Sequence, residues 1–362
     1  MTKAAELAKM GEVLTNSQIG GRRNMVINGA MNVAQRSTSV TGLGATDGYY
    51  TVDRFGFNFS STAARLTMTQ TADGPSGFAN CLKLDCTTAD TSIAANEYIQ
   101  LHYRIEGQDV QQLKKGTSDA EKITVSFYVK GNASATYTCE IEDVDNNRYN
   151  SQEFSVTTSW TKVTLTYDAD TTGVLDDDNA NSMAINFWLH VGSNFTGGTH
   201  TDNVWHTTAN QRVGDNQTSF ADSTDRTFFI TGVQMEIGSQ ATPFEHRSFG
   251  EELALCQRYY QQIVGVSDQT CIGSGRANGS SIAEVAVPLA VSLRASPTLN
   301  SLAFVNFGTG GNGSATATPT VRKFTSEGAV LHLAFSASGM TNNRVAAVFT
   351  SSASTLTINS EL

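Results

Sequence analysis

The sequence predicts an all-β protein: a jelly-roll-like β-sandwich with a short N-terminal helix and a smaller C-terminal β domain. Three observations carry that prediction. Apolar residues alternate with period two over many short segments, as in strands that bury one face. Turn-forming clusters at 71–77, 130–134 and 143–147 separate those segments. Charged residues are only 16% of the 362, so Thr, Ser, Asn and Gly must build the polar faces, which suits strands better than helices.

Residues 1–24 hold the helix and a linker. Leu7, Met10 and Leu14 fall at i, i+3 and i+7 and form one narrow apolar stripe. Thr2 stands where an N-cap would, and Gly20-Gly21 breaks any continuation of the helix. A short helix with one stripe does not stand alone in water, so these three residues are expected to dock on the chain's own body, on sister chains or on another protein.

Residues 25–250 are read as the sandwich. The stretch from Met25 opens it as a strand with a turn signal at Asn28-Gly29. Alternation then places on single faces Leu66 and Met68; Leu82 and Leu84; Ile99, Leu101 and Tyr103; Ile123, Val125, Phe127 and Val129; Tyr137, Cys139 and Ile141; Val163, Leu165 and Tyr167; and Ile185, Phe187, Leu189 and Val191. The last strand carries Phe228, Ile230, Val233, Met235 and Ile237 around an irregularity at Gly232. The opposite faces, rich in Thr, Ser and Asn, are expected in water. Residues 251–362 are read as a helical connector, with helical pattern over 250–262, and a small β domain. There 308–320 is expected to be a long polar loop, and the shortage of large side chains predicts a core completed by partner chains.

The net charge is −10 and no Lys/Arg block occurs, which argues against nucleic-acid binding. No run of 18 apolar residues occurs, so membrane insertion is not expected, and no charged-then-apolar leader begins the chain. Cys81, Cys86, Cys139, Cys256 and Cys271 are scattered and odd in number, the pattern of buried free thiols in a reducing compartment.

No catalytic residue and no cofactor are expected. The histidines form no H-x-x-x-H pair, and neither a G-x-S-x-G elbow nor a phosphate loop occurs. His102 and His190 fall on the polar registers of strands and read as surface or hydrogen-bonded residues. Asp143, Asp145 and Asn147 alternate like calcium ligands, but the glycine and the distal glutamate of a calcium loop are missing. For glycan contact the best loop is 194–211, with Phe195, Asp202, Asn203, Trp205 and His206 offering aromatic faces and hydrogen-bonding groups. Tyr49 and Tyr50 are the second choice.

Three stretches, 22–42, 49–57 and 228–261, carry a resemblance. The first holds Asn24, Ile27, Asn28 and Gly29, and the second Asp53, Arg54 and Phe55. The third holds Gly232, Val233, Gln234, Glu236, Gly238, Ala241 to Glu245, and Cys256 to Tyr260. Together they resemble phage tail-fibre and virion appendage proteins with a carbohydrate-binding-like jelly-roll domain, those of marine podophages in particular. The resemblance implies a virion component assembled in the host bacterial cytoplasm, commonly a homotrimer. It implies partners among other phage tail or capsid proteins, and a host surface glycan only loosely, since such sandwiches also serve as spacers. A purely structural decoration or adaptor protein is the alternative. A polysaccharide depolymerase would show a β-helix repeat with a carboxylate groove, and neither is visible. In the third stretch Val233, Met235 and Ile237 are expected to fill a core face. Gln234 and Glu236 should be exposed or cross-strand paired, and Gly238 and Pro243 should turn the chain out. Asp53-Arg54 reads as a structural ion pair or loop clamp.

Overall fold

The computed structural model describes residues 3–4, 23–265, 270–308, 311–324, 328–336, 340–350 and 354–362, with the backbone alone over 305–316. Leu7, Met10 and Leu14 lie outside the described residues. The chain divides into two compact units, Met1–Phe249 with Leu362, and Gly250–Glu361.

The first unit is an antiparallel sandwich. Its strands are β1 (Ser39–Leu43), β2 (Gly48–Tyr49), β3 (Phe55–Ser60), β4 (Arg65–Thr71), β5 (Cys81–Thr88), β6 (Tyr98–Glu106), β7 (Ile123–Gly131), β8 (Ala135–Asp143), β9 (Arg148–Val156), β10 (Thr161–Tyr167), β11 (Asn181–Val191) and β12 (Thr227–Ile237). One sheet has the order β1-β4-β5-β12-β7-β10, the other β2-β3-β6-β11-β8-β9. The alternating apolar residues face each other between the sheets. Phe127 of β7 meets Phe187 of β11 and Phe154 of β9 edge-to-face, each at 5.1 Å. Tyr137 of β8 meets Phe228 of β12 in the same way at 5.6 Å. Strands β1, β2, β3 and β9 were not expected: β9, Arg-Tyr-Asn-Ser-Gln-Glu-Phe-Ser-Val, alternates too weakly in polarity to declare itself.

The segment from Met25 is not a strand. It is a buried, irregular stretch with Asn28 at φ 61° and Met31 at φ 57°. Its polar groups are satisfied by side chains instead of a ladder. The Asn28 amide donates to the carbonyls of Val33 (2.8 Å) and Asp53 (2.9 Å) and accepts from the Val33 N–H (2.9 Å). The Ile27 N–H donates to the Tyr103 hydroxyl at 2.7 Å. The stretch is fixed to β12 by Met25 N–H to Met235 O and Val233 N–H to Gly29 O. A Cβ on Gly29 would lie 2.0 Å from Val233 O, so only glycine permits this approach.

The closing stretch folds back instead of turning out. Gln234 and Glu236 are buried. Glu236 accepts from Gln234 (2.7 Å), the Thr242 N–H (3.0 Å) and the Thr242 hydroxyl. Glu245 accepts from the Asn24 N–H at 2.6 Å, and Arg247 donates to Asn24 O at 2.6 Å. The opening and closing motifs are therefore two halves of one hydrogen-bonded seam. Asp53 joins it by accepting from Gln35 and Arg36.

The second unit starts with a helix, Phe249–Gln257, shorter than the helical pattern over 250–262 because Tyr260 begins a strand. Its strands are β13 (Tyr260–Val264), β14 (Cys271–Asn278), β15 (Ile282–Pro288), β16 (Thr298–Leu299), β17 (Leu302–Gly308), β18 (Gly311–Ala317), β19 (Thr320–Lys323), β20 (Val330–Ser336), β21 (Val345–Thr350) and β22 (Thr355–Asn359). They form a three-stranded sheet, β13-β22-β16, and a seven-stranded one, β18-β17-β21-β14-β15-β20-β19. The polar stretch 308–320 is thus largely strand: β18 pairs with β17 from Gly308↔Gly311 to Leu302↔Ala317, because backbone pairing needs no apolar side chains. This unit closes a core of its own around Phe304, Phe335, Val285, Leu333 and Ile358. Four cysteines are buried, and Cys271 is exposed.

Candidate functional site: a polar pocket beside the second sheet

The outer face of the second sheet carries two rows of mostly polar residues in register. One row runs Gly56, His102, Asn186, Glu140, Ser151; the next runs Asn58, Gln100, Trp188, Thr138, Glu153. This face was expected in water. It is largely buried: in β11 every residue from Ser182 to Val191 is buried, and so are His102, Gln100, Glu140, Thr138 and Ser151. Over Thr138, Glu140 and Ser151 the cause is the long β11–β12 connection, which folds across them, while Tyr49 packs on His102. The Thr218 N–H donates to Thr136 O (2.8 Å), the Phe220 N–H to Leu189 O (2.7 Å), and Tyr149 and His206 exchange both backbone hydrogen bonds.

Arg212 holds this cover down. It donates to Glu140 through Nε (2.8 Å) and Nη2 (2.5 Å) and lies 3.2 Å from Glu142. Its guanidinium stacks over Tyr149 at 3.9 Å and over Trp188 at 5.0 Å. Glu140 is fully buried, so this pair needs its additional bond from Asn186 (2.9 Å) to satisfy it.

Beyond the end of this cover lies a pocket of about 410 Å³ lined by Glu153, Gly198, Thr199, His200, Asp202, Gly214, Asp215 and Asn216. Strand β9 supplies Glu153 and the connection supplies the rest. Glu153 Oε1 is buried without a hydrogen-bond partner. Burial, then Asp202 and Asp215, push the Glu153 carboxyl above its ordinary value, with His200 opposing. Gly214 makes room for that carboxylate, since a Cβ there would lie 2.0 Å from Oε1. His200 is positioned by Ser151 at 3.0 Å, with Asp202 3.8 Å from its other nitrogen. The pocket thus offers several acceptors to a ligand rich in donors.

Of the residues expected at a glycan site, Asp202 lines this pocket and also accepts from the Glu153 N–H at 3.1 Å. The others sit on the same connection but turn elsewhere. Phe195 packs against Trp188 and Tyr98 at 5.1 and 5.4 Å. Asn203, at φ 61°, accepts from the Asp168 N–H at 2.7 Å. Trp205 donates to Asp168 O at 2.7 Å, with Lys115 over its ring at 4.9 Å. His206 bridges to Tyr149. Tyr49 packs edge-to-face on His102 at 5.4 Å, and Tyr50 donates to Thr46 O.

Sequence reasoning missed Glu153, Gly214, Asp215 and Asn216. Glu153 gave no signal because β9 itself was not recognised. Asp215 and Asn216 lie just past the loop singled out.

The Asp143 turn is organised by an internal cation. Asp143 is buried against the Lys115 ammonium, which also reaches Asp170 at 2.9 Å and the carbonyls of Thr172 and Gly173. Asp145 accepts from the Asp176 N–H at 2.9 Å, and Asn147 adopts φ 51° in the turn.

No protein-family model matches the sequence, and no curated protein does. Solved structures that the chain matches weakly include "CBM4 structure and function", with 14% identity and TM-score 0.30 over 58% of this chain and 97% of that one. The family 11 carbohydrate-binding module of cellulosomal cellulase Lic26A-Cel5E of Clostridium thermocellum has 14% identity and TM-score 0.27 over 59% and 100%. The enzymatically active domain of bacteriophage CBA120 tailspike protein 4 has 13% identity and TM-score 0.29 over 59% of this chain and 21% of that one. Similarities of this size assign no function; the all-β class rests on the strands and sheets described above.

Proposed function

We propose that this chain is a non-enzymatic subunit of a bacteriophage virion, a tail fibre or appendage that binds a host surface glycan through the pocket beside β9. One observation carries the glycan reading: a buried Glu153 oxygen without a donor faces a pocket ringed by Asp202, Asp215, Asn216 and His200. Sugar hydroxyls are donors of the size and chemistry such a pocket lacks. The virion reading is supported by the three motif stretches, whose seam of hydrogen bonds gives their residues an architectural reason to occur together. The chain is taken to act as a homotrimer attached to other tail or capsid proteins through its N-terminal segment.

A glycan array with the purified chain tests the binding. A restricted set of glycans should bind, and Glu153→Gln should weaken them at least about tenfold, the loss expected for one charge-assisted hydrogen bond. Reducing-sugar release from the bound glycans should stay at background; release would make the protein an enzyme. A second reading, a spacer without ligand, is favoured by the engagement of Phe195, Asn203 and Trp205 within the fold. An array without a hit, with the protein folded, decides for it.

A further inference from the structure

At the other end of the connection, away from the pocket residues in sequence, three side chains converge that neither the sandwich nor the proposed binding uses. Asp90 follows β5, Glu97 precedes β6, and His190 lies near the end of β11. A carboxylate oxygen from each acid and a ring nitrogen of His190 lie within 4.8 Å of one another. The relative exposures are 6%, 4% and 0%, so bulk water does not solvate the cluster.

Two acids and a histidine brought together out of water need a shared proton or a cation to balance their charge. Asp90 is well provided: its Oδ2 accepts from the Thr62 hydroxyl (3.0 Å) and the Ala63 N–H (2.7 Å), and its Oδ1 faces the Ser92 N–H at 3.4 Å. Glu97 accepts from the Ala94 N–H and shares a side-chain hydrogen bond with Asp90.

His190 supplies the second, independent observation. Its Nδ1 is engaged by the Ser219 hydroxyl at 2.7 Å, while its Nε2 is buried with no hydrogen-bond partner. A ligating imidazole has this arrangement: one nitrogen fixed by an outer hydrogen bond, the other left to the metal. The outer shell closes on itself, because Ser219 Oγ also accepts from the Ala221 N–H (3.1 Å), and Ala221 O accepts from the Asp90 N–H (2.8 Å).

We propose that Asp90, Glu97 and His190 form a structural site for a divalent transition cation of the zinc class. One imidazole and two carboxylates make a ligand set suited to such ions, whereas calcium takes oxygen alone. Two carboxylates and a neutral imidazole are neutralised by one divalent ion. The ion would clip three segments together: the β5–β6 connection, the end of β11 and the strap at 219–221. This site is independent of the glycan pocket.

The test uses the full chain stripped with EDTA and dialysed, titrated with Zn²⁺ by calorimetry, with metal content measured by mass spectrometry. One tight equivalent per chain and a raised melting temperature are expected for the native protein. That equivalent should be lost in His190→Gln and in Glu97→Gln, each checked for folding by circular dichroism. If His190→Gln does not fold, the isosteric Glu97→Gln carries the comparison. No tight equivalent, equal uptake by the folded variants, or uptake of Ca²⁺ without Zn²⁺ would overturn the proposal.

Discussion

His102 shows how far a side chain's surroundings depart from its register in the sequence. It stands on a polar row, yet both ring nitrogens are buried without partners. Burial, then Arg104 and Arg54, push it well below its ordinary value, so it stays neutral in the fold. A depressed histidine opposes folding once the unfolded chain can bind the proton. Stability should therefore fall as pH drops below about 6.5, the ordinary histidine value. His102→Leu should make that slope shallower in urea titrations repeated from pH 8 to 5; an unchanged slope would assign it elsewhere, His190 and His206 being depressed as well. Glu153 acts in the opposite sense. Its raised value favours the fold at acid pH, and that contribution is lost as pH rises through the folded value. Glu153→Gln should therefore remove a loss of stability at weakly acid pH. In the core, Phe127 touches both Phe187 and Phe154 across the sandwich. Phe127→Ala should cost about 3–5 kcal/mol by denaturant unfolding.

At the scale of elements, the β11–β12 connection and the N-terminal seam hold what the strands cannot hold alone. The connection is fastened by Arg212 on Glu140. Arg212→Ala leaves a fully buried carboxylate without its partner and should cost about 3–5 kcal/mol, with the cover loosening first. Hydrogen exchange should show this as lost protection at the Tyr149 and Thr218 amides, while the Val125 amide stays protected. The seam is tested by Gly29→Ala, which forces a Cβ against Val233 O. Overpacking of this kind should cost about 1–3 kcal/mol, read as a lower denaturation midpoint with unchanged m-value.

For the whole molecule, each of the two units has its own core, so residues 23–249 and 250–361 are each organised around internal contacts. Assembly is carried in the proposed scheme by Leu7, Met10 and Leu14. Light scattering at several concentrations should give three times the 38.7 kDa chain mass, and deletion of residues 1–20 should abolish both the trimer and its incorporation into particles, with circular dichroism of the sandwich unchanged. A monomeric native chain would shift the protein toward a decoration or adaptor role. Among the described residues no helix is long and apolar enough to cross a membrane.

Period-two alternation by itself determined the all-β class and which side chains fill the sandwich. Phe127, Phe187 and Phe228 were legible because a strand's side-chain period is independent of its neighbours. The same signal could not show β9, whose faces differ too little, nor Met25–Gln35, where apolar residues are buried in an irregular segment fixed by Asn28. Tertiary structure alone decided the fate of the polar faces. Alternation says which side of a strand is polar, but only the path of a connection 35 residues long, 192–226, determines whether that side meets water. That path buried Glu140 and His190, packed Phe195 and Trp205 away from the pocket, and brought Glu153, Asp202 and Asp215 together. Such convergence depends on contacts between residues distant in sequence, and no local pattern encodes them.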